Sequence, residues 1–413
     1  MGKLSLRALL MIAIRDLGRN RRRSFLTLSA VALGLALLVL ISGLMAGSVD
    51  GALQNSIRLQ TGHLQVRDES YDEEKVSLEW EDLLDAPQEL VTQIEAIPGV
   101  QTAAPLLWAN GIVTLRDESV GVRVFGIDPL SDASAPFKEG IIAGEFLGAD
   151  DRSGILIGHR LAKSMGLEVG DQVNLLVTTA DEQPDEAFFT IRGLYNTNVP
   201  AYDETTVFLP ISKAQAFTGA GERASAIFIL LVNREYTGSV AAGLQNPLYE
   251  VLTWQELNQV LFGALETSAG MMSLMYMIVL AVVAVVVANT LLMAVFERTR
   301  EMGILASLGM KARQILIMFL LEAGTLGIMG IALGVMLGSL GVAYLANVGW
   351  NLGELAATAA SAEIAYGSTV YAKFAPTDTI ILSAASLVIT LLASLYPAWI
   401  AARMEPVDAL RAV

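Results

Sequence analysis

Few residues in this 413-residue chain have the type and spacing that catalysis or metal binding requires. The two histidines, His63 and His159, are isolated in the sequence and the chain has no cysteine, so we predict no metal site. The phosphate-binding pattern G-x-x-x-x-G-K-[ST] is absent, since the only Gly-Lys pair is Gly2-Lys3. We therefore expect no catalytic residues, and any ATP chemistry must come from a partner protein.

A short charged segment has the composition of a docking surface. Residues 297–301 alternate glutamate and arginine, and the apolar residues that follow at helical spacing are Met302, Ile304, Leu305 and Leu308. A short helix of this kind could offer ion pairs and an apolar face to a bound protein. The alternative is a solvated, positively charged loop.

Glu322 is a carboxylate at the edge of a long uncharged run. An ionisable residue inside a membrane is by default a functional candidate. Glu322 lies only eleven residues after Lys311, however, which favours a structural or interfacial role near the headgroups. A proton-driven transporter would carry more buried charge than this chain offers.

The elements that position these residues are four uncharged stretches, at 24–49, 267–296, 323–353 and 379–402. Each exceeds the length of about 20 apolar residues that a spanning helix needs. Only 17% of all residues are charged, whereas a soluble protein has about 25%. The chain is therefore predicted to cross a membrane four times.

Lysine and arginine collect in short cytoplasmic segments, and this rule orients the spans. Seven basic residues precede residue 24, and four more lie within 297–313. Both termini are thus predicted to be cytoplasmic, with residues 48–266 outside. That outer region has 33 acidic and 13 basic residues, which argues against nucleic acid as a partner.

The outer region has the pattern of an α+β domain. A strand at 63–67, a helix at 85–99 and a hairpin at 112–126 form one half, and 226–254 supplies a βαβ element that could complete it. The Gly-rich stretch 135–223 between them is predicted to be a mostly β insertion. Apolar residues at helical spacing on both sides predict that spans one and two continue outside as stalk helices, the first of them ending at Gly62.

Small residues predict close helix contacts in two spans. G-x-x-x-G patterns occur at Gly43 and Gly47, and at Gly330, Gly334 and Gly338. Such contacts could pack helices within the chain or form a dimer seam, and the spacing fits both.

Three segments closely resemble the FtsX/MacB/LolC-LolE permeases of ABC systems. They are the segment 297–310 (ERTREMGILASLGM), the entry to span one at 19–23 (RNRRR), and the ending 396–411 (YPAWIAARMEPVDALR). With the 1+3 arrangement of spans, the resemblance covers the whole chain. It implies a membrane α plus extracytoplasmic α+β fold, with a MacB-like periplasmic domain between spans one and two.

The resemblance implies a non-catalytic permease that works as a dimer, homo- or heterodimeric, in the bacterial inner membrane. A separate ABC subunit would bind ATP and Mg and dock on the coupling segment. The residues implied in this coupling are Glu297, Arg298, Arg300, Glu301, Met302, Gly303 and Leu308. Reversing the charges of Arg298 and Arg300 is predicted to uncouple ATP hydrolysis without unfolding the outer domain.

The expected domain boundaries follow from the spans and the resemblance together. They are an amphipathic cytoplasmic helix at 1–23 with Leu6, Leu9, Leu10, Ala13 and Leu17 on one face, span one at 24–48, the periplasmic domain at 49–266, span two at 267–296, the coupling helix at 297–313, span three at 314–346, a periplasmic loop at 347–376, span four at 377–402 and a cytoplasmic tail at 403–413.

Within the family, residues 60–66 (QTGHLQV) and 125–129 (FGIDP) are most similar to the lipoprotein-releasing LolC/LolE branch. That branch moves triacylated lipoproteins from the inner membrane to a periplasmic carrier. By this analogy the acyl cavity would be lined by Leu44, Leu53, Ile57, Leu261, Leu265, Met271 and Met272. One departure is that the segment 178–186 is shorter than the hooked loop that docks the carrier, which favours a non-docking partner or a relative with another cargo.

Two alternatives remain within the resemblance. One is MacB-like efflux, in which the outer domain pushes substrate into an export tube. The other is an FtsX-like signalling scaffold that activates a cell-wall hydrolase, although such scaffolds usually have a smaller outer domain.

Overall fold

The computed structural model describes residues 15, 21–72, 76, 78–116, 118–353 and 365–403. The chain forms two compact units. The helical unit comprises Met1–Val49, Leu265–Trp350 and Val370–Val413, and the α+β unit comprises Asp50–Ala264 and Asn351–Thr369. The amphipathic helix predicted at 1–23 and the tail at 403–413 lie almost entirely outside the described residues.

The helices, in chain order, are α1 (Arg21–Ser56), α2 (Pro87–Glu95), α3 (Ala135–Glu139), α4 (His159–Met165), α5 (Pro200–Thr205), α6 (Ile211–Thr218), α7 (Thr237–Leu244), α8 (Trp254–Leu257), α9 (Gln259–Glu297), α10 (Thr299–Ser307), α11 (Ala312–Val348) and α12 (Pro376–Ala402). The strands are β1 (Leu64–Arg67), β2 (Val100–Leu115), β3 (Glu118–Ile127), β4 (Ile141–Gly144), β5 (Gly154–Gly158), β6 (Gln172–Thr178), β7 (Pro184–Tyr195), β8 (Thr206–Pro210), β9 (Ala226–Leu231), β10 (Glu250–Thr253), β11 (Trp350–Asn351) and β12 (Thr369–Val370).

Four helices of the described chain are long and apolar enough to cross a membrane, which confirms the predicted count. They are α1 with its continuation to Thr61, α9, α11 and α12, and they contain 27 to 40 residues. After Ser56 the first of them changes to a π-helix, Ile57–Thr61, and Gly62 follows with φ 65°. A left-handed φ of this kind suits glycine, which explains why the helix ends there.

The predicted second stalk helix is interrupted, contrary to the sequence reasoning. Asn258 separates α8 from α9. Its side chain accepts a hydrogen bond from the hydroxyl of Ser56 at 2.6 Å and donates to the carbonyl oxygen of Trp254 at 2.7 Å. Both Ser56 and Asn258 are buried, so the break is held by a local polar contact between two stalk segments.

One sheet of the α+β unit has the strand order β10-β1-β9-β2, with every neighbouring pair antiparallel. Strand β9 lies between β1 and β2, with Ile229 opposite both Leu64 and Ala103. The strand that follows the insertion, β9, thus joins the sheet formed by the strands that precede the insertion. Helices α2 and α7 contribute Val91, Ile94, Val240 and Leu244 to the apolar core of this sheet.

The second part of the α+β unit is a closed six-stranded barrel. Its strands pair in the order β2-β3-β8-β5-β7-β6, and β6 pairs with β2 again. The barrel core includes Leu107, Val124, Ile157, Leu175, Phe189 and Ile191. The insertion predicted at 135–223 therefore begins too late, because β2 pairs with β9 along its first half and enters the barrel wall with its second half.

Part of the predicted loop at 347–376 is built into the α+β unit. Asn55 donates a side-chain hydrogen bond to the carbonyl oxygen of Ala365 at 3.0 Å, and Ser368 N donates to the carbonyl oxygen of Asn198 at 2.7 Å. Ala365 is buried in a cluster with Leu59 and several aromatic side chains. The segment between α11 and α12 is therefore fixed to the α+β unit at 365–369.

Asp203 is a buried carboxyl in the barrel region, with 1% of its surface exposed. It accepts hydrogen bonds from the backbone N–H of Thr197 at 3.0 Å and from the Thr197 hydroxyl at 2.7 Å. Burial raises the pKa of Asp203 to about 7. His159 Nδ1 lies 3.7 Å away, but burial and Arg160 lower the pKa of His159, so the two form no ion pair at neutral pH.

We expect the stability of the chain to fall as pH rises from about 4 to about 7, through the ionisation of Asp203. The folded state binds this proton more tightly than the unfolded state, so stability is fully present below the unfolded pKa and is lost as pH approaches the folded value. Asp203→Asn should remove this fall in stability. Each unit by which the pKa of Asp203 in the folded state exceeds its value in the unfolded state contributes about 1.4 kcal/mol to the fall. Thermal unfolding of the full chain in detergent between pH 4 and 8 measures it. Asp150→Asn, at an exposed position, is the control, and equal profiles for both variants would contradict the assignment.

Candidate functional site

The charged segment between two spans forms a short helix of nine residues, α10. Arg298 breaks the helical path after α9, with φ −111° and ψ 14°. Gly309 has φ 92° and lets the chain turn into α11, where Gln314 and Lys311 form a reciprocal cap. Two breaks therefore isolate α10 from both neighbouring spans.

The coupling residues predicted on α10 do not share one face. Glu297, Arg300 and Leu308 are exposed, and Leu308 has 69% of its surface free. Met302 and Gly303 are buried instead, and Met302 packs in a cluster with Val295, Ile315 and Met318. The prediction that these apolar residues form one face is therefore wrong, because Met302 points into the helical unit while Ile304 and Leu308 point outward.

Arg298 is the second correction, because it is 2% exposed and cannot belong to an open docking surface. Its Nη1 lies 3.7 Å from Oε2 of Glu322. Its Nε lies 3.6 Å from Oε2 of Glu301, which is half-buried. The arginine therefore joins the junction of α9 and α10 to the body of α11.

Glu322 is fully enclosed, with 0% of its side chain exposed. Its Oε1 accepts a hydrogen bond from Nη2 of Arg23, which lies near the start of α1 and is 9% exposed. Each carboxylate oxygen thus faces a different guanidinium group. We call Arg23, Glu322 and Arg298 the charge cluster. The burial of Glu322 in an ion pair agrees with the structural role among the two expected for it.

A buried ion cluster is expensive to form, since desolvation costs several kcal/mol for each ion. Its retention among apolar helices is therefore a sign of function or of a specific packing requirement. The cluster pairs one carboxylate with two guanidinium groups, so it is an ion-pair site. Sequence reasoning missed Arg23, because its only local signal was a basic residue before a span.

The glycines predicted to mediate helix contacts lie between α1 and α11, within one chain. A Cβ atom added to Gly334 would lie 2.8 Å from the carbonyl oxygen of Ala32, and one added to Gly330 would lie 2.8 Å from Cβ of Val31. Gly338 faces Val39 in the same way. Gly43 lies against the side chain of Val342, and Gly47 lies against the backbone of Tyr371. These positions allow backbone contact that a side chain would prevent.

The seven residues predicted to line a cavity are divided between the units. Leu44, Leu265, Met271 and Met272 belong to the helical unit, and Leu53, Ile57 and Leu261 belong to the α+β unit. Ile57 and Leu261 are buried in the present packing and are not available to a ligand, which corrects their prediction. Met271 is 70% exposed on α9, and the other four are half-buried.

Comparison with known families gives two matches that together span most of the chain. Residues 24–246 match the model of the MacB-like periplasmic core domain. Residues 273–406 match the model of the FtsX-like permease C-terminal domain. Residues 247–272, which separate the two matches, contain β10, α8 and the first part of α9.

Similar proteins include two components of lipoprotein-releasing systems and one macrolide export protein. The chain is 25% identical to the lipoprotein-releasing system transmembrane protein LolC of Neisseria meningitidis, over 96% of this chain and 97% of that protein. It is 21% identical to the corresponding LolE of Haemophilus influenzae, over 92% and 93%. It is 22% identical to the macrolide export ATP-binding/permease protein MacB of Acinetobacter baylyi, over 97% of this chain and 58% of that protein.

Proposed function

Because this chain belongs to the family of ABC-transporter permeases with a MacB-like periplasmic core domain and an FtsX-like C-terminal domain, we propose that it extracts lipoproteins from a bacterial inner membrane. A separate subunit would bind ATP and Mg and hydrolyse the nucleotide, and this chain would be its non-catalytic permease. The observation that carries the proposal is the correspondence with LolC over nearly the whole length of both chains.

The proposed docking surface for the ATP-binding subunit is the exposed side of α10 together with two flanking residues, Glu297 at the end of α9 and Leu308 directly after α10. It combines charged side chains at Glu297 and Arg300 with apolar ones at Ile304 and Leu308. Mixed surfaces of this kind are typical of protein interfaces. A second permease chain, identical or related, would complete the complex.

The proposed orientation places α10 and both termini in the cytoplasm and the α+β unit in the periplasm. The excess of basic residues before residue 24 and within 297–313 supports it. The α+β unit would then meet the lipoprotein as it leaves the membrane. The half-buried or exposed apolar residues Leu44, Leu53, Leu265, Met271 and Met272 stay candidates for contact with its acyl chains.

We do not expect the hairpin of β6 and β7 to bind a periplasmic carrier. The connecting turn is closed by a backbone hydrogen bond from Thr179 N to the carbonyl oxygen of Gln183 at 2.9 Å, and the strands pair up to Thr178 and Pro184. A turn this short offers no extended loop to a soluble carrier. The chain would act as the non-docking member of a heterodimer, or use another carrier surface.

Efflux is the second candidate function, and the match to the MacB-like core domain favours it. Mass spectrometry of the tagged complex, purified gently from its native membrane, separates the candidates. We expect an ABC ATP-binding subunit together with triacylated lipoproteins. Recovery of the ATP-binding subunit with an outer-membrane tube and no lipoprotein would indicate efflux. Recovery with a cell-wall hydrolase and no lipoprotein would indicate signalling.

A further inference from the structure

We propose that Glu322 is a positioning residue that joins α1, α11 and the α9–α10 junction, so that these segments move together when a partner displaces α10. The inference deepens the proposed function, since it names the contacts that would carry the force from the docking helix. It rests on the proposed function only for the origin of that force. The contacts themselves lie within the helical unit.

The first step is that α1 and α11 pack in one constant register. Arg23 contacts Glu322, and the next contacts in the same direction pair Val31 with Gly330, Leu35 with Gly334, Val39 with Gly338 and Gly43 with Val342. The difference in residue number is the same in all five pairs. The two helices therefore run parallel over about 30 Å, at 1.5 Å per residue.

The second step is that this contact is rigid along its length. Glycines at three positions of α11 bring its backbone against α1, and an added Cβ would lie 2.8 Å from α1 atoms at each of the three. Packed helices of this kind do not slide gradually, because interior packing resists small deformations. The ion pair of Arg23 and Glu322 is the first contact of this row.

The third step is that Arg298 attaches the docking helix to the same row. The side chain lies in the break immediately before α10 and reaches Oε2, the carboxylate oxygen opposite the one that Arg23 uses. A displacement of α10 pulls on Glu322 and thereby on α11 and α1 together. The hydroxyls of Thr27 and Thr290, 3.0 Å apart, give α9 a separate polar contact with α1.

The functional consequence concerns α1, which is continuous from Arg21 to Ser56. A force applied at α10 would reach this helix through the two ion pairs of Glu322, in addition to the packing of Met302 on α11. The cluster thus assigns a mechanical role to Glu322, a buried carboxylate that faces Arg23 of α1 and Arg298 at the start of α10.

The test uses distances between spin labels, and the cysteine-free chain allows labels at chosen positions without background. One pair, called the α1–α10 pair, joins Phe25 to Leu308, the residue that caps the end of α10; the two are 68% and 69% exposed. A second pair joins α1 to α11, at Phe25 and Ile328. Pulsed electron paramagnetic resonance of the full chain in lipid nanodiscs gives the width of each distance distribution.

We expect narrow distributions for both pairs in the parent chain. Arg298→Gln should broaden the α1–α10 distribution and leave the α1–α11 distribution narrow, a difference that general unfolding would not produce. Glu322→Gln should broaden the α1–α10 distribution at least as much. Arg313→Gln, the same change at an exposed position of α11 outside the proposed docking surface, is the control and should leave both distributions unchanged.

An unchanged α1–α10 distribution in Arg298→Gln would overturn the inference, as would equal broadening of both pairs. If Glu322→Gln does not fold, the Arg298 variant alone decides. The distance measurements need no ATP-binding partner and no lipoprotein. If the distances respond to the variants as expected but the complex releases no lipoprotein, the proposed function is rejected while the positioning role of Glu322 is retained.

Discussion

Gly334→Leu is expected to force α1 and α11 apart and to destabilise the helical unit strongly. Even the first added carbon would lie 2.8 Å from the carbonyl oxygen of Ala32 and 3.0 Å from Cβ of Leu35, so backbone atoms would have to move. Overpacking typically costs about 1–3 kcal/mol, and leucine adds three carbons beyond that first one. We expect a loss at or above the upper end of this range, measured as the unfolding free energy in mixed micelles of detergent and SDS.

Gly324→Leu is the matched control on the same helix. A Cβ at Gly324 meets only Cδ2 of Leu391 at 3.5 Å, which is an ordinary contact distance. This variant should fold with a much smaller loss. Equal losses for the two variants would mean that the close α1–α11 packing does not determine stability.

Leu308→Asp is expected to release the ATP-binding subunit from the purified complex. The side chain is among the most exposed leucines of the helical unit and lies on the outward side of α10. A carboxylate there would be buried without a partner on docking. Loss of a contact that dominates binding costs about 2 kcal/mol or more, which corresponds to a roughly 30-fold weaker affinity. Co-purification and ATP hydrolysis by the isolated complex measure the effect.

Leu248→Asp is the matched control, since Leu248 is 75% exposed in the α+β unit and lies far along the chain from α10. It should leave the subunit bound. Retention of the subunit by Leu308→Asp would mean that α10 is not the docking helix, while loss in both variants would indicate a general effect on the chain.

The buried position of Arg298 changes how charge reversal must be interpreted. Reversing Arg298 together with Arg300 would break the contact with Glu322 as well as the docking surface, so the double variant cannot test docking alone. Arg300 is exposed, and its single reversal is the cleaner experiment. The two arginines lie two residues apart but have different surroundings, because the helix breaks at Arg298.

The sequence predicted those features that depend on local pattern. Four uncharged stretches predicted four spanning helices, since hydropathy and length alone decide whether a helix suits a membrane. Glycine at 62 predicted the end of the first long helix, because its left-handed φ suits that residue. The charged segment at 297–310 likewise contains the predicted short helix.

The features that sequence reasoning missed depend on contacts between distant residues. Arg23 and Glu322 are 299 residues apart, and nothing in either neighbourhood indicates the other. The barrel was underestimated because β2 belongs to two sheets, and alternation along a strand does not reveal its neighbours. The break at Asn258 was missed because the apolar periodicity continues through it while the side chain bonds to Ser56.

Lipoprotein extraction is tested most directly by ATP-dependent release of a triacylated lipoprotein from proteoliposomes. They would contain this chain, its co-purifying permease partner and the ATP-binding subunit, with a soluble lipoprotein acceptor outside. We predict that the lipoprotein leaves the membrane only with ATP and an active ATP-binding subunit, and that Leu308→Asp abolishes the release. ATP hydrolysis by an intact complex with no lipoprotein leaving the membrane would contradict the account.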